Sequence, residues 1–218
     1  CANMFELYDA LISYKGLIDS ILDKRNLKSL YMGVEPFTDP DTIELIDQKK
    51  YQLMNINMEK RGSLGKWMMR NTSSIQVNYD IIDRRDLEEV MFIADCIHPI
   101  SAYLFANSPF HLGKSVGRKN LRNYIWENTD NSRCRSLLDH GIYNTDNLLD
   151  LYISQMMKAP GIFRLSDNLD IKESRLTLRD ELEKKWLSEE YDIIIDTDCY
   201  MFQCHEPEVR KGDNGMLY

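Results

Sequence analysis

Residues 71–80 read NTSSIQVNYD, and their side chains alternate between apolar and polar. In a β-strand successive side chains point to opposite faces, so this alternation predicts a strand with an apolar face and a polar face. Gln and Asn form strands poorly, but their amides donate and accept hydrogen bonds in fixed directions. Two interpretations are open: a solvent-facing strand of an antiparallel sheet, or the floor of a polar site that meets a cation or a phosphate-bound metal. The apolar positions are Ile75, Val77 and Tyr79, and the polar positions are Ser74, Gln76, Asn78 and Asp80.

The composition is that of an ordinary globular protein. The chain has 218 residues, of which 43% are hydrophobic and 28% charged, enough for one sizeable core. Its net charge of −8 argues against a general nucleic-acid surface, which needs clustered Lys and Arg. No apolar run approaches the roughly 20 residues that span a bilayer. We therefore expect a single domain over residues 1–218 that acts on small molecules or binds a protein, with no nucleic acid and no membrane as partners.

The cysteines predict a reducing compartment. Five of them are widely spaced and form no CxxC pair, which is typical of reduced thiols in a cytoplasmic protein without a metal cluster. The chain starts at Cys1 inside an amphipathic pattern and ends as a strand-like pattern begins. This predicts that the domain is partial at both ends.

Hydrophobic periodicity predicts several helices and few strands. Asp83 stands at the N-cap position of a long helix that contains Pro99, and Thr177 stands at the N-cap of a charged helix. Helices and strands in this order indicate an α+β fold, with a sheet layered by helices on one side. The predicted helices cover residues 4–22, 51–60, 83–104, 146–157 and 177–187; the predicted strands cover 29–34 and 71–80, and 191–204 is either strand or buried helix.

Residues 107–119 predict a long functional or mobile loop, and the segment LRNYIWENTDNSR follows it. Two guanidiniums beside an indole suit an amino-acid carboxylate, which Arg grips with two parallel hydrogen bonds. The alternative is a surface helix with a packed Trp and solvated arginines. The residues concerned are Arg122, Trp126 and Arg133. Local catalytic motifs such as GxxxxGK[ST], GxGxxG, HExxH and GxSxG are missing from the sequence, and the four histidines are scattered.

Longer strings carry a family resemblance. MMRNTSSIQVNYD, HPISAYLFANSPFHLGKSVG and LRNYIWENTDNSR closely resemble the central part of the plant and proteobacterial type of glutamate–cysteine ligase. MGVEPFTDPDTIELIDQKKYQLMNINMEKRGSLG resembles the segment that precedes it in this family. The resemblance is clear over about residues 32–163 and weaker at HEPEVR near the end.

The resemblance implies a fold and a reaction. The fold is a curved antiparallel sheet like that of glutamine synthetase, with helices on its outer face, and ATP and Mg²⁺ bound inside. Members phosphorylate the γ-carboxylate of glutamate, and the amine of cysteine attacks the acyl phosphate in the first step of glutathione synthesis. Such chemistry depends on positioning and charge neutralisation, which is consistent with the missing nucleophile motifs.

The resemblance also implies site residues. Gln76 matches a metal-ligand position, and Asn78 matches the ATP and metal region. Arg122 matches an arginine that holds glutamate, Trp126 a wall of that pocket, and Arg133 a further contact. Ser74 stands where relatives often carry Thr, and Lys50 where they usually place a substrate-binding Arg. Asn71 replaces another common Arg, for which Arg70 is the neighbouring substitute.

Three functional hypotheses follow. The chain is an ATP-dependent glutamate–cysteine ligase or the part that carries its glutamate pocket, or a non-catalytic module that binds glutamate, nucleotide or a partner chain, or a γ-glutamyl ligase with another amine acceptor. In the family, the acidic residues that coordinate most of the Mg²⁺ come from upstream strands. We therefore expect this chain to lack a complete metal cage.

Overall fold

The computed structural model describes residues 3–61, 63–76, 78–165 and 170–187, which form a mixed α and β structure. Helices make up most of it, and the strands pair into short antiparallel hairpins, in agreement with the predicted α+β class. The helices are α1 Met4–Asp23, α2 Lys49–Arg61, α3 Gly65–Asn71, α4 Arg84–Leu104, α5 Leu121–Glu127, α6 Leu148–Met156 and α7 Leu178–Leu187; the strands are β1 Phe110–His111, β2 Lys114–Ser115, β3 Phe163–Leu165 and β4 Ile171–Glu173.

The chain divides into two compact units, residues 1–32 and 33–218. In the first unit, α1 begins at Asn3, whose side chain accepts hydrogen bonds from the main-chain N–H groups of Phe5 and Glu6. This confirms the predicted helix over residues 4–22. No residue of α1 is buried.

The second unit has two hydrophobic clusters. The larger joins α2, α3, α5 and β3, and the smaller joins α4 and α6 with the turn between α5 and α6. Gly65 lies where α3 meets α2, and a Cβ atom there would come within 2.6 Å of the Met58 Cβ. The larger cluster contains Val34, Met58, Met68, Leu121, Ile125, Ile162 and Phe163, and the smaller contains Met91, Leu137, Ile142 and Leu148.

The predicted helix boundaries agree closely with the structure. The Asp83 side chain caps α4 by accepting from the Asp86 N–H, and the helix continues through Pro99 to Leu104. Thr177 and Asp180 cap α7 reciprocally, with N to O distances of 3.0 and 3.1 Å. The prediction for residues 191–204 lies outside the described residues, as does HEPEVR.

The central strand prediction is wrong. Residue 71 ends α3, Thr72 forms an isolated antiparallel bridge with Val34, and residues 73–76 and 78–82 are irregular. Two main-chain hydrogen bonds form this bridge and join residues 33–35 to 71–73. The Glu35 N–H donates to the Asn71 carbonyl at 2.7 Å, and the Ser73 N–H donates to the Gly33 carbonyl at 3.1 Å. The strand predicted over residues 29–34 is likewise reduced to the bridge at Val34. Strand periodicity indicates a face, but a strand forms only where a partner strand supplies hydrogen bonds.

The predicted loop 107–119 contains a hairpin. Its strands β1 and β2 pair antiparallel, and Leu112 and Gly113 turn between them with positive φ angles of 49° and 74°. The Gly113 N–H donates to the carbonyl of Pro36 at 2.7 Å. The hairpin is thereby attached to the segment that follows the bridge at Val34.

Two further findings concern the compartment predictions. Cys134 is disulfide-bonded, so the prediction of reduced thiols throughout is wrong for this residue, whereas Cys96 is a free and exposed thiol. Among the described helices, none combines the length and the apolar character needed to cross a bilayer.

Candidate functional site

The start of α5 places Arg122 through two side-chain caps. The Asn120 side chain accepts from the Asn123 N–H at 3.0 Å, and the buried Ser108 hydroxyl accepts from the Arg122 N–H at 3.0 Å. Such caps satisfy main-chain donors that have no partner within a helix. Because both caps fix the first turn, the Arg122 side chain leaves the helix from a defined point.

The Arg122 guanidinium is half-buried and faces two neighbours. Its Nε donates to the Ser73 carbonyl at 3.0 Å, and its central carbon lies 5.5 Å from the centre of the Trp126 ring. Burial lowers the pKa of Arg122 below its ordinary value, although the group stays charged at neutral pH. Among the described residues, no carboxylate forms an ion pair with Arg122. A half-buried cation without an anion is a favourable place for a ligand carboxylate or phosphate.

Trp126 follows Arg122 by one helical turn, so both side chains lie on one face of α5. The ring packs against the larger hydrophobic cluster. Its indole Nε1 is buried and has no hydrogen-bond partner among the described residues. An unsatisfied buried donor costs about 1–3 kcal/mol, which a ligand oxygen within reach would offset. The indole therefore offers both an apolar wall and a polar atom.

The polar residues of the segment after α3 are exposed. Ser73 meets Arg122 through its carbonyl, whereas Ser74, Gln76 and Asn78 lie on irregular, exposed chain. Because the resemblance implies that the Gln76 and Asn78 amides and the Arg122 guanidinium serve one ligase site, we expect them to line one hollow. The described structure brings the segment to Arg122 at Ser73, and a hollow shared with the amides stays a prediction.

Arg133 has a different environment from Arg122. Only 3% of its surface is exposed, and its guanidinium contacts the Asp130 carboxylate and the Pro160 carbonyl. A further hydrogen bond joins Arg133 Nη1 to the Ser132 hydroxyl at 3.2 Å. These contacts join the turn after α5 to the chain before β3. The geometry favours a structural role for Arg133 over the glutamate contact that the resemblance implied.

Lys50 and Arg70 are held on helices. The Lys50 Nζ lies 5.1 Å from the centre of the Tyr51 ring in the first turn of α2. Arg70 donates to the Ile43 carbonyl at 3.0 Å and to the Asn55 side chain at 2.8 Å. Arg70 and Asn71, which the sequence placed at the start of a strand, both belong to α3.

Four residues that hold Arg122 could not be identified from the sequence patterns. Ser73 contributes only its main chain, and Gly33 contributes space and main-chain hydrogen bonds, so neither has a side-chain signal. Asn107 accepts from the Gly33 N–H at 3.0 Å across a separation of 74 residues. Ser108 accepts from the Arg122 N–H across a separation of 14 residues, so no local capping pattern marks it.

Metal ligands are not concentrated in the described residues. Over residues 3–61, 63–76, 78–165 and 170–187, no group of three or more His, Cys, Asp or Glu side chains is placed to hold a metal ion. Mg²⁺ in proteins is bound through carboxylates, waters and substrate phosphates. A single amide such as Gln76 does not make a site by itself.

A family model and several curated proteins that match this chain are all described as glutamate–cysteine ligases. A family model described as glutamate-cysteine ligase family 2 matches residues 1–197. Among curated proteins, the chain is 34% identical over 116 residues to a chloroplastic glutamate–cysteine ligase A of Oryza sativa subsp. japonica, covering 53% of the chain and 24% of the relative. It is 28% identical over 168 residues to the chloroplastic glutamate–cysteine ligase of Arabidopsis thaliana, covering 77% and 32%. The Solanum lycopersicum protein of the same name is 27% identical over 195 residues, covering 88% and 37%. The chain thus spans about a third of the length of the relatives it matches.

Proposed function

Because the chain belongs to glutamate-cysteine ligase family 2, we propose that it carries the glutamate-holding part of an ATP-dependent carboxylate–amine ligase. The ligase joins the γ-carboxylate of L-glutamate to the amine of L-cysteine through a γ-glutamyl phosphate, in the first step of glutathione biosynthesis. The proposed partners are therefore the small molecules glutamate, cysteine and ATP. Since the chain spans about a third of its relatives, the complete reaction is assigned to the whole protein.

The observation that carries this proposal is the environment of the Arg122 guanidinium. Its guanidinium is half-buried, is fixed through Nε to the Ser73 carbonyl, and has no carboxylate in ion-pair contact among the described residues. Nε is occupied, so the outer edge with the two Nη groups is the part that offers hydrogen bonds to a carboxylate. Trp126 lies beside it at 5.5 Å and provides an apolar wall for the methylene groups of glutamate.

The finer fold assignment is also part of the proposal. We infer that the antiparallel bridge between Val34 and Thr72 is part of the curved antiparallel sheet of a glutamine synthetase-like domain in the whole protein. The main-chain contacts between Val34 and Thr72 and between Gly33 and Ser73 support this, because they have an antiparallel arrangement. In such a sheet Ser74, Gln76 and Asn78 would lie on one face, as their alternation indicates.

The described residues do not provide the ligands that the implied Mg²⁺ needs. When bound, Mg²⁺ with ATP supplies the phosphoryl group and neutralises its charge. The described residues include no carboxylate-rich cluster of the kind that holds a metal, and Gln76 lies on exposed, irregular chain. The described part of the chain does not fit a metal cage, so no metal-dependent step is assigned to its residues.

Binding of L-glutamate tests the proposal directly. In calorimetric titrations with the 218-residue chain, with and without Mg-ATP, Arg122→Ala should weaken glutamate binding by about tenfold or more, because hydrogen bonds to charged groups contribute about 1.5–3 kcal/mol. The matched control is Arg85→Ala, which removes an exposed arginine paired with Glu89 on α4. Equal affinities of the Arg122→Ala variant and the unmodified chain would remove the assignment of Arg122.

A non-catalytic module is the second candidate, and the lack of a metal-ligand cluster among the described residues favours it. If glutamate and Mg-ATP together raise the melting temperature while no phosphate is released, the module is supported. If neither ligand changes the melting temperature, only a structural or interaction role remains. A screen of amines with glutamate fixed separates cysteine from another acceptor, which matters because Lys50 stands where relatives carry Arg.

We propose a cytoplasmic location for the whole protein. The wide spacing of the cysteines supports this location, whereas the disulfide at Cys134 does not. The relatives matched are named chloroplastic. Fractionation of cells that express the whole protein would decide between these compartments.

A further inference from the structure

Gly33 lies at the junction of three segments that lead to Arg122. Its N–H donates to the Asn107 side-chain oxygen at 3.0 Å, and its carbonyl accepts from the Ser73 N–H at 3.1 Å. The carbonyl of Ser73 in turn accepts from Arg122 Nε at 3.0 Å. A continuous path of hydrogen bonds therefore connects Asn107, Gly33, Ser73 and the guanidinium.

The space around Gly33 leaves little room for a side chain. A Cβ atom at this position would lie 3.0 Å from Asn107 Oδ1, 3.2 Å from Arg122 Cδ and 3.7 Å from Arg122 Cβ. The first two contacts are short enough that Asn107 and Arg122 must each shift by a few tenths of an ångström, whereas the third is an ordinary van der Waals contact. Arg122 Cδ is bonded to Nε, so a displacement of Cδ also shifts the hydrogen bond to Ser73. Gly33 is buried, which leaves little room for the displaced atoms.

We propose that Gly33 and Asn107 are positioning residues that orient the Arg122 guanidinium toward a carboxylate of the substrate. The inference rests on the proposed function for the identity of that carboxylate, and on the structure for the orientation. A pair of parallel hydrogen bonds to a carboxylate depends on the plane of the guanidinium, because each of two N–H groups must point at one of the two oxygens. Gly33 keeps the aliphatic part of Arg122 in place, and Asn107 keeps Gly33 in place.

The orientation has a spectroscopic readout that does not depend on activity. In a ¹H–¹⁵N spectrum of the 218-residue chain, the Arg122 Nε–H signal is identified by its loss in Arg122→Lys. Because this N–H is hydrogen-bonded to Ser73, we expect slow exchange with water in the unmodified chain. Gly33→Ala should shift the signal and speed its exchange. Gly16→Ala is the matched control, since a Cβ at Gly16 has no heavy atom within 4 Å.

Glutamate affinity is the second readout. With L-glutamate as the titrant, Gly33→Ala should weaken binding roughly tenfold, the scale of one misaligned charge-assisted hydrogen bond. Gly16→Ala should leave both the affinity and the signal unchanged. If Gly33→Ala does not fold, Asn107→Ala replaces it: this variant removes the acceptor of the Gly33 N–H without adding atoms, and should change both readouts in the same direction.

The outcomes separate this inference from the proposed function. Failure of the unmodified chain to bind L-glutamate counts against the proposed function, and the Nε–H signal then judges the positioning alone. In a chain that binds glutamate, the inference is supported if Gly33→Ala moves the signal and weakens binding while Gly16→Ala does neither. An unchanged signal overturns it, as does a moved signal with unchanged affinity in a chain that binds glutamate. Equal effects of Gly33→Ala and Gly16→Ala also overturn it.

Discussion

Replacing Asp130 by Asn tests whether the buried charge pair with Arg133 holds the turn after α5. Both residues are almost fully buried, with 1% and 3% of their surfaces exposed. Arg133 contacts Asp130, the Pro160 carbonyl and the Ser132 hydroxyl. Asp130 also accepts from the Ser132 N–H at 2.9 Å and from its hydroxyl at 2.6 Å through the other carboxylate oxygen. Asn keeps one oxygen as the acceptor for Ser132, and its NH₂ group replaces the oxygen that accepts from Arg133, so the variant removes the negative charge and that one hydrogen bond.

The expected magnitude follows from what remains buried. Asp130→Asn leaves the Arg133 charge without its anion, which destabilises a fold by about 3–5 kcal/mol. Asp130→Asn with Arg133→Met removes both charges and keeps an apolar side chain of similar length. The double variant still leaves the Pro160 carbonyl without its donor, at a cost of about 1–3 kcal/mol. We therefore expect the double variant to be more stable than Asp130→Asn alone.

Urea unfolding measures these differences, with the free energy of unfolding extrapolated from transitions of equal slope. A double-mutant cycle over the two positions should give a coupling energy above about 1 kcal/mol. Additive single effects, or a loss below about 1 kcal/mol for Asp130→Asn, would refute the structural role of the pair. Glutamate binding by the folded double variant should match that of the unmodified chain, because Arg133 is assigned to the turn and not to the substrate.

Three further predictions concern packing, pH and activity. Gly65→Ala should lower the free energy of unfolding by about 1–3 kcal/mol through its contact with Met58, whereas Gly16→Ala should raise it by about 0.5–1 kcal/mol; a urea titration compares the two. Burial lowers the pKa of His98, so the unfolded state takes up the proton first, and stability should fall as pH drops below about 6.5; His98→Gln should flatten this slope, and an unchanged slope would contradict it. The isolated 218-residue chain should form little γ-glutamylcysteine from glutamate, cysteine and Mg-ATP, because its described residues hold no metal-ligand cluster; robust turnover would refute this.

Helices could be predicted from the sequence because their signals are local. The caps at Asp83 and Thr177 satisfy donors within a few residues, and apolar spacing marks the face that packs. The strand predicted over residues 71–80 is different, because a strand depends on more than local signals. Its alternation is present, but a strand also needs partners at a distance in sequence, and the described residues supply only the bridge to Val34.

The same division applies to the proposed site. The sequence by itself determined the family and five of the seven described α-helices. It also shows the four-residue spacing of Arg122 and Trp126, but only the structure shows that this segment is a helix, on which that spacing brings the two side chains to one face. Only the tertiary structure decided that Arg133 is buried against Asp130, and that Arg122 is held by the Ser73 carbonyl, 49 residues away. The physical reason is that every residue has a main-chain carbonyl and every glycine lacks a side chain. Only the folded chain therefore shows which carbonyl and which glycine lie against the guanidinium.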